Sequence, residues 1–228
     1  MEKSGVRLDL VTWPSLDGHR PLMILPIGSC EQHGPHLPLG TDTIIATALA
    51  DRAAAQLGDG IVVAPALAIT ASGEHQGFPG TLSLGTTVVE ELLVELVRSA
   101  DWSGGIVLVN GHGGNHTPVT RAVERSTAES RRVLAWWPRV AGGDPHAGHT
   151  ETSILLALDP ALVDDRAMAA LEPVPVDADA AVRLRTDGVR AVSASGVLGD
   201  PAGATAEHGH EILNALTTDL VGTIEAWR

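Results

Sequence analysis

PLMILPIGSCEQHGPHLPLGTD, residues 21–42, sets the architecture of this chain. PLMILPIG (Pro21 to Gly28) is an unbroken apolar run of strand length, as expected for a strand buried on both faces. The Gly- and Pro-rich segment after it reads as a loop. From Thr41 onward apolar residues recur at three- and four-residue spacing. That predicts a helix from Thr41 to Gly58, where glycine can end it. The same alternation continues outward. IVVAPALAI (Ile61 to Ile69) reads as a second strand. Thr87 to Glu90 has the form of a capping box opening a helix to about Asp101. GIVLVN (Gly105 to Asn110) reads as a third strand, Thr117 to Arg131 as a helix and VLAWW (Val133 to Trp137) as a strand. One helix is expected to begin near Thr150 and a last one to cover Thr205 to Trp227. Strands alternating with helices predict an α/β fold, a three-layer sandwich with a mainly parallel central sheet. The expected organisation is one domain over residues 1–228.

Composition narrows the function. The chain has 228 residues, 44% of them hydrophobic, enough for a substantial core. No apolar run reaches the length of a membrane span. The opening MEKSGVRLDLVTWPSLDG lacks the basic-then-apolar pattern of a signal peptide. One cysteine, Cys30, cannot build an internal disulfide framework. A cytoplasmic protein is therefore expected, with Cys30 as a small buried residue. The formal net charge of −13 disfavours nucleic acid as a partner.

Three polar clusters fall just after predicted strand ends, where open α/β sheets bind ligands. In Glu31-Gln32-His33, the first and third residues of an extended segment point the same way. Asp42, at the start of a helix, can fold back to the same point. Such carboxylates and imidazoles suit zinc, manganese or iron(II), although a solvated loop would carry the same residues. In NGHGGN (Asn110 to Asn115) the glycines allow a tight turn that presents His112. A turn histidine at a helix start would also explain it. In HAGHTETS (His146 to Ser153), Glu151 sits in the first helical turn, which would favour a carboxylate in any case. The argument for chemistry lies in three such junctions in one chain. His36, His75, His116 and His149 are weaker candidates, and His19, His208 and His210 read as surface residues.

These motifs together resemble the creatininase family. LPIGSCEQHGPHLPLGTD, NGHGGN and HAGHTETSILLALDP look like its three motifs, and SGEHQGFPGTLSLG (Ser72 to Gly85) like a segment lining its active site. The resemblance implies an amide hydrolase with two divalent cations per subunit, iron(II), zinc or manganese. Glu31, His33, Asp42 and His112 match ligand positions. His146 matches the catalytic histidine. Creatininase carries a ligand glutamate where this chain has Gly114, and Glu151 is expected to fill that vacancy. Ser72, His75 and Asn115 are expected at the substrate, and Arg139 is a candidate partner for a substrate carboxylate, though a solvated arginine at a strand end reads as well. The chain has no tyrosine, so creatinine is not the expected substrate. ASGEHQGFPGTLSLGT, AWWPR and GVLGDPAGATAEHG resemble the branch of the family that matures the mycofactocin precursor. That implies removal of a C-terminal Val-Tyr dipeptide from a peptide substrate. The alternatives are a small cyclic amide or formamide as substrate, or a metal-binding scaffold without turnover. The family also implies a homo-oligomer, possibly a hexamer.

Overall fold

The computed structural model describes residues 6–228. Met1 to Gly5, with the lone lysine, lie outside the described residues. Five strands form one sheet: β1 (Val6–Arg7), β2 (Leu22–Ile27), β3 (Ile61–Val63), β4 (Gly105–Asn110) and β5 (Val133–Trp136). Their order is β1-β3-β2-β4-β5, and every pairing is parallel. β2 and β4 are buried along their whole length, the pattern of strands covered on both faces.

Side chains alternate between the two faces, and each face has its own cover. Leu22, Ile24, Val107 and Val109 pack toward α1 (Thr41–Leu57), α4 (His149–Leu158) and α7 (Ala206–Trp227). Met23, Leu25, Ile106 and Leu108 pack toward α2 (Thr86–Ser99) and α3 (His116–Ala128). The result is three layers, helices over sheet over helices. Two shorter helices, α5 (Asp165–Ala169) and α6 (Ala178–Asp187), follow α4.

Two local expectations fail for identifiable reasons. The strand expected over Ile61 to Ile69 ends at Val63. Pro26 on β2 and Pro65 beyond β3 both lack the N–H a ladder needs. Only the Ala64 and Leu67 amides still reach β2, at 2.8 and 3.0 Å from the Ile24 and Pro26 carbonyls. The capping box also does not form. Helix α2 begins at Thr86 after Gly85, with no side-chain cap. Glu90 instead accepts a 2.8 Å hydrogen bond from Arg125 of α3, so its carboxylate joins two helices.

The chain steps from β2 to β3 on one side and places β4 on the other. The reversal opens a crevice at the carboxyl ends of β2 and β4, the expected ligand position in such a sheet.

Candidate metal centre

The loops leaving β2 and β4 enter that crevice beside the N-terminus of α1. Gly28 makes the approach possible, since a Cβ there would lie 2.3 Å from the Thr43 backbone. Asn115 fastens the surrounding loops. Its amide nitrogen donates to the Gly28 carbonyl and to Asn110 Oδ1, each at 3.1 Å, and its oxygen accepts from the Ala71 amide at 3.1 Å. Asn115 was expected at the substrate, but its amide is spent on the protein itself and borders neither cavity described below.

Five sequence-predicted ligands meet in this crevice. Asp42, in the first turn of α1, is 2% exposed. Its Oδ1 lies 3.2 Å from His33 Nε2, and its Oδ2 lies 3.0 Å from His112 Nδ1. Ser29 donates a 2.7 Å hydrogen bond to the same carboxylate. Burial pushes the Asp42 carboxyl up, but His33 and His112 outweigh it and hold it well below its usual value. Glu151 Oε2 lies 3.9 Å from His33 Nε2 and accepts the Ala147 amide at 2.6 Å. Burial and the neighbouring carboxylates raise its carboxyl to about 7, against the pull of His33. Glu31 is fully buried, with His112 Nε2 at 3.2 Å and His75 Nε2 at 3.4 Å.

The histidines are oriented by backbone carbonyls. His33 Nδ1 faces the Glu31 carbonyl at 3.1 Å. A carbonyl only accepts, so Nδ1 carries a proton and Nε2 is the nitrogen turned inward, 3.2 Å from Asp42 Oδ1. Burial alone would lower the basicity of His33, yet the surrounding carboxylates, Asp42 foremost, raise its pKa to about 9. His146 Nε2 likewise donates to the Gln32 carbonyl at 2.9 Å, leaving Nδ1 bare, 3.9 Å from Glu31 Oε1. Burial and then His33 push His146 well below its usual value, so it is neutral.

Gln32 was not singled out in the sequence. Its side-chain oxygen accepts the Gly34 amide at 2.8 Å, which fixes the amide nitrogen to donate to His75 Nδ1 at 2.8 Å and to the Gly196 carbonyl at 3.0 Å. His75 therefore presents Nε2–H toward Glu31. Glu74 was also missed, although it lies between the candidates Ser72 and His75. Its carboxylate reaches within 3.4 Å of His112 Nε2. Burial raises the Glu74 carboxyl, but the hydrogen bond and charge of His112 outweigh it and hold it below its usual value. Glu151, expected to serve for the side chain missing at Gly114, stands with His33 and Asp42.

These residues fit divalent cations. Three trios have ligand atoms within 4.8 Å of one another: Glu31 with His33 and His146, Glu31 with Glu74 and His112, and His33 with Asp42 and Glu151. Among the described residues, histidines are the only basic side chains paired with these four carboxylates. Both carboxylate oxygens of Glu31 are buried without a hydrogen-bond partner. An ionised carboxylate in that state is costly unless a cation neutralises it. Binding energy therefore becomes folding energy. Two bound cations, each at about 100 times its dissociation constant, would add about 5 kcal/mol. For a chain of this length that is about 10–20 °C in melting temperature. Chelation should remove this increment and readdition restore it, read by thermal unfolding. An unchanged melting temperature would speak against cation binding here.

The crevice opens into a cavity of about 600 Å³. Asp42, His112, His146 and Glu151 line it, with Ile45, Trp137, Ile154 and Leu216 as apolar walls and the exposed Arg139 among the lining residues. A smaller cavity of about 190 Å³ borders Glu31, Glu74, His75, His112 and His146. Ser72 is fully buried, and its hydroxyl has no hydrogen-bond partner; it lines neither cavity. Of the weaker candidates, His75 stands in the site, whereas His36, His116 and His149 lie elsewhere. His36 bonds Thr152 Oγ1 at 3.0 Å, and burial lowers its pKa to about 4. His116 stacks on Trp137, and His149 packs against His208. Cys30 is only partly buried, its thiol 3.6 Å from the Gly80 carbonyl, because its strand end lies beside that loop.

The α/β fold and its crevice of carboxylates and imidazoles suit a metal-dependent hydrolase, and the family described as creatinine amidohydrolase matches residues 9–224. The chain belongs to this creatininase family and is a hydrolase acting on C–N bonds. It is 47% identical, over 96% of its length and 91% of the relative's, to the mycofactocin precursor peptide peptidase of Mycobacterium tuberculosis (strain ATCC 25618 / H37Rv). It is 46% identical to the protein of the same description from Mycolicibacterium smegmatis (strain ATCC 700084 / mc(2)155), over 91% of this chain and 86% of that one. Among solved structures, a mutant creatininase of the Zn-Zn type superposes with a TM-score of 0.82 at 24% identity, covering 97% of this chain and 98% of that one. That last likeness speaks for the fold.

Proposed function

We propose that this chain is a two-cation peptidase that removes the C-terminal Val-Tyr dipeptide from the mycofactocin precursor peptide. The observation that carries the reading is the convergence of Glu31, His33, Asp42, His112 and Glu151 beside His146 at a cavity with apolar walls. The relatives described as mycofactocin precursor peptide peptidases support the substrate. Iron(II), zinc and manganese all suit these donors. The reading includes a homo-oligomeric, cytoplasmic enzyme, with a hexamer as the assembly to test by light scattering.

Bound divalent cations would polarise the scissile carbonyl and acidify water near neutral pH. The chain's own residues do the rest. The carboxylates of Glu31, Asp42 and Glu151 supply charge, while the hydrogen bond from His33 Nδ1 to the Glu31 carbonyl holds the ring with Nε2 inward. His146, neutral and bare at Nδ1, accepts the proton of the attacking water and returns it to the leaving nitrogen. Ile45, Trp137, Ile154 and Leu216 shed water from the cavity and receive the valine and tyrosine side chains.

Arg139 is assigned to the substrate's terminal carboxylate, which a guanidinium can hold with two parallel hydrogen bonds. Arg139→Ala should raise KM about 10-fold with kcat little changed, because one charged hydrogen bond contributes about 1.5–3 kcal/mol. Steady-state kinetics on the peptide decide this, and unchanged constants would take Arg139 out of the site.

The functional test is incubation of the metal-loaded protein with the precursor peptide and a panel of small cyclic amides and formamides, followed by mass spectrometry. Release of Val-Tyr, lost with chelator and regained with metal, is expected. Turnover of a small amide alone would move the substrate assignment. No turnover of any panel member would favour a binding scaffold.

A further inference from the structure

We propose that Glu74 is a direct ligand of the cation held by Glu31 and His112. The proposal rests on the two-cation reading above and deepens it.

The geometry centres on His112 Nε2. Three oxygens surround this nitrogen: the Ala71 carbonyl at 2.8 Å, Glu31 Oε2 at 3.2 Å and Glu74 Oε1 at 3.4 Å. A single N–H serves one of them well and leaves the other two facing each other. A cation at the centre satisfies all of them, with the ring proton moved to Nδ1, where Asp42 Oδ2 waits at 3.0 Å. Glu31 gives an independent sign. It is wholly buried, and both oxygens lack a hydrogen-bond partner although they point into this cluster.

The chain has made room for the Glu74 carboxylate. A Cβ on Gly114 would lie 2.1 Å from Glu74 Oε1 and 2.4 Å from His112 Nε2. Any side chain at position 114 would therefore compete for the volume Glu74 fills. Glu74 comes from another loop, in the short turn Gly73–His75. That loop is tied to position 115 by the hydrogen bond from the Ala71 amide to Asn115. Glu151 cannot serve this cation in the same way, since it closes the trio on the far side, with His33 and Asp42. With Asp42 standing between the two positions, one oxygen toward His33 and the other toward His112, the remaining acidic residues divide: Glu31 and Glu74 for one cation, Glu151 for the other.

The test is titration of metal-free, full-length protein with Mn²⁺ by calorimetry, with metal analysis and electron paramagnetic resonance on the loaded samples. Wild type should bind two equivalents and show spin coupling between neighbouring ions. Glu74→Gln should keep one equivalent near wild-type affinity and weaken the other more than about 100-fold, since loss even of groups that only support a ligand costs 10–100-fold. Its Mn²⁺ spectrum should be that of an isolated ion. Glu74→Asp, one methylene shorter, should retain both ions with one weakened, and it carries the test if the glutamine variant does not fold. Two equivalents at unchanged affinity in Glu74→Gln would overturn the role of Glu74 while leaving the two-cation reading standing. Fewer than two equivalents in wild type would overturn both.

Discussion

Asp42→Asn is expected to eliminate hydrolysis, lowering kcat/KM by more than about 10³-fold, and to release both cations together. The size follows from position. Asp42 is 2% exposed and stands between the two histidines, one carboxylate oxygen toward each. Asparagine keeps the shape but removes the charge, and turns N–H donors toward a lone pair meant for a metal. Losing one preorganised electrostatic contact in a hydrolase costs about 10²–10³-fold. Losing the cations removes the carbonyl polarisation and the acidified water as well. The metal-free variant should be less stable than metal-free wild type, because losing the Asp42 charge leaves His33 and His112 without the carboxylate they pair with. Metal analysis, circular dichroism and kinetics on one preparation check the three parts. Activity within 10-fold of wild type would show that Asp42 does not join the two positions.

His146→Ala is expected to have the opposite signature: cations retained and turnover lost. The hydrogen bond from Nε2 to the Gln32 carbonyl, at 2.9 Å, holds the ring and leaves Nδ1 bare. Burial and the nearby His33 keep the ring neutral. A neutral imidazole with a free nitrogen can accept a proton from water and pass it to the departing amine. A positioned acid or base contributes about 10²–10⁴-fold, and kcat should fall by that factor. KM should move little, since the walls that hold the substrate are other residues. Equal metal content with a lowered kcat is the expected pair of results. Full activity would remove His146 from the chemistry, and loss of a cation would recast it as a ligand beside Glu31 and His33.

How much of this was readable in the residues depends on what each stretch encodes. The central strands were legible because β2 and β4 are continuous apolar runs of strand length, bounded by Gly and Pro. The helix start at Thr41 was legible from periodicity; the last helix, expected from Thr205, starts there because the Thr205 hydroxyl accepts the His208 amide at 3.2 Å. β3 was read too long although Pro65 marked a break within the segment; the share owed to Pro26 on the neighbouring strand left no local mark. β1 has two residues, too few for any period. Glu31, His33, Asp42, His112 and Glu151 could be grouped beforehand because parallel strands deliver their carboxyl ends to one edge. Glu74 and Gln32 could not. Glu74 lies in a loop without periodicity, and it reaches the crevice through a backbone bond from Ala71 to Asn115. The role of Gln32 depends on its contacts with His75, His146 and Gly196, residues from far along the chain.

The whole account comes down to where the metal sits. Anomalous scattering from crystals of manganese- or zinc-loaded protein measures that directly. Two peaks about 3.5–4 Å apart are predicted, one against His33, Asp42 and Glu151, the other against Glu31, Glu74 and His112. A single peak, peaks outside this crevice, or a fully active crystal preparation without anomalous signal would contradict it.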